Sequence, residues 1–285
     1  MLIKFFRWLF DYSSSFIGPK KIILHVEEIH DLEGTKLKIY KPNKDQSLPV
    51  LIFYHGGGWI IGSIRAYDRI LRHLSYVSKC LIIAVEYKKA PEYKFPTAIE
   101  DSCKACSWII DNIKKLGGDI KRIGLMGDSA GGNIVTHITA NIKFKFNYTI
   151  LIYPVTDVIK CITTKSKLKN QWLEKCSYLV LEYCLKQYLP MKEQASLISS
   201  PKQYVKEMFL LMAEADILVP TISKYASEMQ EIGVKVKLKC YKKTLHGFLN
   251  FSGILPQGKE ALDDISTFIK DANLRVLERN KRIKI

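Results

Sequence analysis

The sequence predicts an α/β protein, with a mainly parallel central sheet covered by helices on both faces. Three observations predict it. Val50–Tyr54, Leu81–Val85, Tyr148–Tyr153 and Met208–Ala213 are short apolar runs of the kind that fill buried strands, and helix-periodic segments separate them. Gly127-Asp128-Ser129-Ala130-Gly131 stands between an apolar strand and a helix periodic through Ile134, Val135, Ile138 and Ile142. Finally, Val50–Tyr54 runs straight into His55-Gly56-Gly57-Gly58-Trp59.

The elements follow in order. Leu2, Phe5, Phe6 and Leu9 share one face of an N-terminal helix, an apolar face expected to lie on something. A cap over a site is favoured over contact with a membrane surface. Lys4 and Arg7 interrupt the run, which is too short to span a bilayer. Residues from Ile22 to His30 and Leu37 to Tyr40 predict an edge hairpin turning at Asp31-Leu32-Glu33-Gly34. Arg65 to Ser78 is an amphipathic helix between two strands, and Thr97 to Leu116 is a second, stopped by Gly117-Gly118. The strand beginning near Lys121 leads to the serine. Val158 to about Pro201 lacks a buried strand and carries a long helix from Gln171 to Leu189, an insertion between two sheet units. After the Met208 strand come a helix from Pro220 to Ile232, an alternating edge strand from Val234 to Tyr241, and a last helix from about Lys259 to Lys270.

Composition narrows the function classes. The chain of 285 residues is 47% hydrophobic and 25% charged, as an ordinary globular protein is. With 44 Lys+Arg against 28 Asp+Glu it carries a formal charge of +16, but the lysines are scattered in singles and pairs. A solvated Lys-rich surface therefore ranks above a nucleic-acid site. The seven cysteines follow no disulfide framework, which places the chain in a reducing compartment, the cytoplasm. Cys103 and Cys106 make a C-x-x-C on a helix with no second ligand pair, so they are expected to pack rather than hold zinc.

In parallel sheets ligands gather beyond the carboxyl ends of the strands, and His55, Ser129, Asp216 and His246 all fall there. G-x-S-x-G on a strand-to-helix turn is the pattern of a nucleophile elbow: small neighbours permit a strained turn that lifts the hydroxyl clear of the sheet. A serine hydroxyl needs a base, and the base an orienting acid. Of the six histidines only His137 and His246 follow Ser129, and His137 sits two turns along the same helix. His246 is therefore the expected base. Asp216 is the favoured acid, with Asp157 second and Glu214 a distant third. The glycine loop offers backbone N–H groups to an oxyanion.

Taken together, His55-Gly56-Gly57-Gly58-Trp59, Ala90-Pro91-Glu92, Gly127-Asp128-Ser129-Ala130-Gly131-Gly132-Asn133, Ala215-Asp216 and His246-Gly247-Phe248 resemble the hormone-sensitive-lipase-like branch of the α/β-hydrolases. The resemblance runs from about Val26 to the C-terminus. It implies the α/β-hydrolase fold as one domain over 1–285, capped by about 1–22 and 158–205. It implies a serine carboxylesterase for short- to medium-chain esters, and an oxyanion hole from the N–H groups of Gly57, Gly58 and Ala130. No metal or organic cofactor is required, and the expected partner is a small ester rather than nucleic acid. Pairing of two copies through an edge strand stays open. Two departures stand out: Tyr87-Lys88-Lys89-Ala90-Pro91-Glu92 replaces the usual Tyr-Arg-Leu-Ala-Pro-Glu, and Ile217-Leu218-Val219-Pro220 replaces Pro-Leu-Arg-Asp after the acid. Trp8, Trp172 and Tyr178 are the expected pocket walls. The competing class is a non-catalytic small-molecule receptor on this scaffold, as in plant gibberellin receptors. Those have lost the histidine that stands here as His246.

Overall fold

The computed structural model describes residues 2–282 apart from 32–33, 46, 164–167, 169, 192–195, 197–198 and 202–204. Leu32 and Glu33 of the expected hairpin turn, and much of the expected insertion between 164 and 204, thus lie outside the described residues.

Helix α1 (Leu2–Ile17) precedes the strands β1 (His25–His30), β2 (Lys36–Lys41) and β3 (Leu48–Tyr54). Helix α2 (Ile64–Ser78), β4 (Leu81–Glu86), α3 (Thr97–Asn112), β5 (Gly118–Asp128), α4 (Ala130–Asn141) and β6 (Tyr148–Ile152) follow in alternation. Helices α5 (Val158–Thr163) and α6 (Gln171–Tyr188) fill the insertion before β7 (Glu207–Ala215), α7 (Val219–Glu231), β8 (Lys235–Leu245) and α8 (Pro256–Arg282).

The eight strands form one sheet in the order β1-β2-β4-β3-β5-β6-β7-β8. β1 and β2 are antiparallel, and β4, β3, β5, β6, β7 and β8 run parallel to one another. The apolar runs explain the layering. Ile52, Phe53, Ile82, Ile83, Ile150, Leu151, Phe209 and Leu210 are almost wholly excluded from solvent, as strands covered on both faces must be. Helix α2 buries Ile70, Leu71 and Leu74 on one face and starts on a Ser63 cap whose Oγ accepts the Ala66 N–H.

Several boundaries differ from expectation: β1 begins at His25 rather than Ile22, and α3 ends at Asn112 rather than Leu116. β5 begins at Gly118 rather than near Lys121, because Gly118 is already paired with Leu48 of β3. β8 runs on past Tyr241 to Leu245, which sets His246 immediately after its carboxyl end. α8 extends in both directions, and its buried stripe Ala261, Leu262, Ile265, Phe268, Ile269, Ala272 and Val276 outlasts the predicted stop at Lys270. A further difference concerns orientation. The apolar face of α1 does not rest on the protein: Phe5, Phe6 and Leu9 are exposed, whereas Arg7, Asp11 and Ser14 face inward. Arg7 donates to the carbonyls of Ile60 and Ala90 and pairs with Glu92, which draws that side of the helix down. Among the described residues no helix is long and apolar enough to cross a membrane.

Candidate active site

Ser129 occupies the one residue between β5 and α4, with φ 51° and ψ −119°. An L-residue reaches that region only at a cost of about 1–3 kcal/mol, so its surroundings must enforce it. They do. The Ser129 N–H donates to the Ile152 carbonyl of β6 at 2.8 Å, and its own carbonyl accepts from Asn133 and Val155. The flanking glycines are dictated by space. A Cβ on Gly131 would lie 2.1 Å from the Tyr54 carbonyl oxygen, and one on Gly127 would lie 2.3 Å from that of Gly131.

His246 bridges the candidates. Its Nε2 is 2.8 Å from Ser129 Oγ and its Nδ1 is 2.6 Å from Asp216 Oδ2, so three distant segments meet at the carboxyl edge of the sheet. The Asp216 carboxylate is buried, and its Oδ1 accepts the Leu218 N–H at 3.0 Å. Burial opposes a charge on His246, but the neighbouring Asp216 carboxylate outweighs it and holds the imidazole above its ordinary value of 6.5. The imidazole keeps 39% of its surface accessible, so a small molecule can reach it. The Tyr153 ring packs on it with centroids 4.8 Å apart.

The other candidates are engaged elsewhere. Asp157 Oδ1 accepts the Lys160 N–H at the start of α5, and its carboxylate pairs with Lys160. Glu214 accepts the Lys243 N–H and pairs with Lys242 on the surface. His137 lines a separate cleft with Ile99, Cys103 and Asn141. Cys106 lies in the core and Cys103 packs against it.

The glycine loop faces the serine. Gly57 (φ 117°) and Gly58 (φ 59°) both line the same cavity as Ser129, and neither N–H has a backbone partner among the described residues. Ala130 is the first residue of α4, where helical N–H groups have no partner within the helix. The loop is anchored by residues that motif matching passes over. Asp128 Oδ1 accepts the Gly56 N–H at 2.8 Å, and Oδ2 accepts the Tyr67 hydroxyl at 2.7 Å. Asn250 in turn donates to the Tyr67 oxygen. Burial pushes the Asp128 carboxyl up to about 6, against the pull of the Tyr67 and Gly56 hydrogen bonds. The Tyr87 hydroxyl donates to the His55 carbonyl at 2.7 Å. The one available signal was that Asp128 is an acid inside the elbow itself, where the fold brings β5 against β3.

Above these groups lies a cavity of about 420 Å³, walled by Phe10 of α1, by Cys176, Val180, Leu181 and Cys184 of α6, and by Ile61, Ile217 and Phe251. Trp8, Trp172 and Tyr178 are not among its walls: Trp8 and Trp172 point to solvent, and Tyr178 packs against the core. Each lies on the expected helix, but on another face of it. The departure at Ile217-Leu218 puts apolar side chains into the cavity beside Asp216.

Comparison with known proteins identifies the family. Residues 51–250 match the model of a family with the α/β-hydrolase fold. The chain belongs to that family. Its hydrolase fold carries carboxylesterase activity in relatives, and the chain is a hydrolase of that kind. It is 29% identical over 245 residues to carboxylesterase NlhH of Mycobacterium tuberculosis, spanning 81% of this chain and 76% of the relative. An ethyl acetate hydrolase of Pseudomonas putida is 27% identical over 240 residues, 79% of this chain and 75% of the relative. Among solved structures, the esterase of Pyrobaculum calidifontis superposes with a TM-score of 0.84 at 29% identity, covering 95% of this chain and 94% of that one. The resemblance to the hormone-sensitive-lipase-like hydrolases is thereby borne out.

Proposed function

We propose that this hydrolase cleaves short- to medium-chain carboxylic esters by two-step acyl transfer, with Ser129, His246 and Asp216 as nucleophile, base and acid. One observation carries the proposal: a single imidazole lies within hydrogen-bond reach of both the elbow serine and a buried carboxylate. Ser129 attacks the ester carbonyl while His246 Nε2 takes its proton. Asp216 keeps the Nδ1 proton in place and stabilises the imidazolium. The N–H groups of Gly57, Gly58 and Ala130 receive the developing oxyanion, and loss of one such donor costs roughly 3–4 kcal/mol of barrier. His246 then protonates the leaving alcohol, and water repeats the cycle on the acyl-enzyme.

The cavity supports the substrate class. Among the described residues no lysine or arginine lines it, so its walls suit an uncharged acyl chain despite the charge of the whole chain. Its size falls in the range for small-molecule sites, roughly 300–1,000 Å³. The name of the ethyl acetate hydrolase points to the short end of that class. Helices α1 and α6 serve as the cap. Seven unpaired thiols suit a reducing, cytoplasmic setting.

Turnover of p-nitrophenyl butyrate tests the proposal. Ser129→Ala should lower kcat by at least about 10⁴-fold, because nothing else in the cavity replaces the activated hydroxyl. Equal turnover by mutant and wild type would overturn the assignment.

A further inference from the structure

Helix α1 is inverted relative to an ordinary surface helix. Arg7, Asp11 and Ser14 face the protein beside Phe10, whereas Phe5, Phe6, Trp8, Leu9 and Phe16 face outward with Lys4. The outward rings lie along the helix, with Trp8 stacked on Tyr12 and Tyr12 packed against Phe16. Half-exposed aromatic rings at this density are rare on a surface that meets only water. Helix α6 has a matching stripe. Trp172, Leu179, Val180 and Tyr183 fall on one helical face and are exposed, Trp172 by 74%.

Both helices reach the cavity. Phe10 of α1 and Val180 of α6 both line it, and Val180 is also 63% exposed, so on α6 the outward stripe continues into the cavity. The segment after β8 closes the third side. Phe251 lines the cavity and is exposed, Ile254 beside it is 67% exposed, and the Gly253 N–H holds this segment to the Ile17 carbonyl at the end of α1.

Charge selects the occupant. Lys4, Lys20 and Lys21 on or just after α1, and Lys175 and Lys186 on α6, are exposed and outnumber Glu174 and Glu182 of the same stretch. A second copy of this chain would bring another +16 toward the same face, whereas an anionic bilayer attracts it. Outward aromatics with flanking lysines are the make-up of a helix lying in a lipid interface. We infer that α1, α6 and the segment around Ile254 form a docking face that seats the cavity mouth on an anionic lipid surface. Esters dissolved in the lipid would then enter the cavity without crossing water, a consequence that rests on the proposed esterase reading. The docking itself does not.

Cosedimentation of the full chain with phosphatidylglycerol–phosphatidylcholine vesicles tests this, with pure phosphatidylcholine vesicles as comparison. The chain should bind the anionic vesicles more tightly, and salt should weaken that binding. Replacing Phe5→Ser, Trp8→Ser and Phe16→Ser together should weaken binding at least about tenfold. These side chains lie outside the cavity walls, so turnover of p-nitrophenyl butyrate in buffer should persist. In the unmodified chain, lipids brominated on their acyl chains should quench tryptophan emission, since Trp8 and Trp172 are exposed whereas Trp59 is buried. The Ser129→Ala chain should bind vesicles as wild type does, which separates docking from catalysis. Absence of vesicle binding, equal binding by the triple variant, or a dimer in solution that the same three substitutions dissociate would overturn the inference.

Discussion

At the scale of single residues, the proposed mechanism turns on the protonation of one imidazole. His246 accepts a proton only when neutral, so kcat/KM must fall as pH drops through its pKa. The Asp216 carboxylate, against the opposing effect of burial, holds that pKa above the ordinary 6.5. The acid limb of the kcat/KM profile should therefore have its midpoint above pH 6.5. Asp216→Asn removes the charge while keeping the shape, which should cut kcat about 10⁴-fold and move the limb of the residual activity to lower pH. A profile measured on both chains checks each part. These residues were legible because the chemistry needs particular side chains at particular strand ends. Choosing between Asp216 and Asp157 required only that the acid follow the strand before the last one. The pocket walls were not legible. Trp8 and Trp172 are the bulkiest side chains of α1 and α6, yet both turn outward.

Elements decide how well the proposed oxyanion site is built. The glycine loop leaves β3, and its anchor, Asp128, ends the neighbouring β5. The Gly56–Asp128 bond therefore exists only because β3 and β5 are adjacent and parallel, with Tyr54 opposite Gly127. Asp128→Ala leaves the Gly56 N–H and the Tyr67 hydroxyl without their buried acceptor, at a cost of about 1–3 kcal/mol. If part of that appears in the transition state, kcat should fall about ten- to a hundredfold. KM should change little, as steady-state kinetics on p-nitrophenyl butyrate would show. The strands themselves could be found from sequence, since continuous apolar runs of that length have few other uses. Their ends could not, because Gly118 joins β5 through pairing with Leu48, seventy residues away in the chain. Helix α1 shows the opposite difficulty. Its apolar face was plain in the sequence, but periodicity does not say which face turns inward. Here the hydrogen bonds of Arg7 to Ile60 and Ala90 decide it.

Across the whole molecule, the fold brings the candidate site residues to one edge of the sheet and joins no two cysteines in a disulfide. Cys80, Cys103, Cys106, Cys161, Cys176, Cys184 and Cys240 are all free thiols. Thiol titration of the denatured, unreduced chain should count seven, and a reducing agent should leave Tm unchanged. The charge of +16 is likewise a property of the surface rather than of the site, since the cavity walls are apolar. Reaction of the native chain with a fluorophosphonate, followed by mass mapping of the adduct, tests whether Ser129 is an activated nucleophile. Only a serine activated by a neighbouring base reacts readily. One adduct should form, on Ser129, and it should be lost when His246→Ala removes the base. An unlabelled Ser129, or labelling that persists without His246, would contradict the assignment.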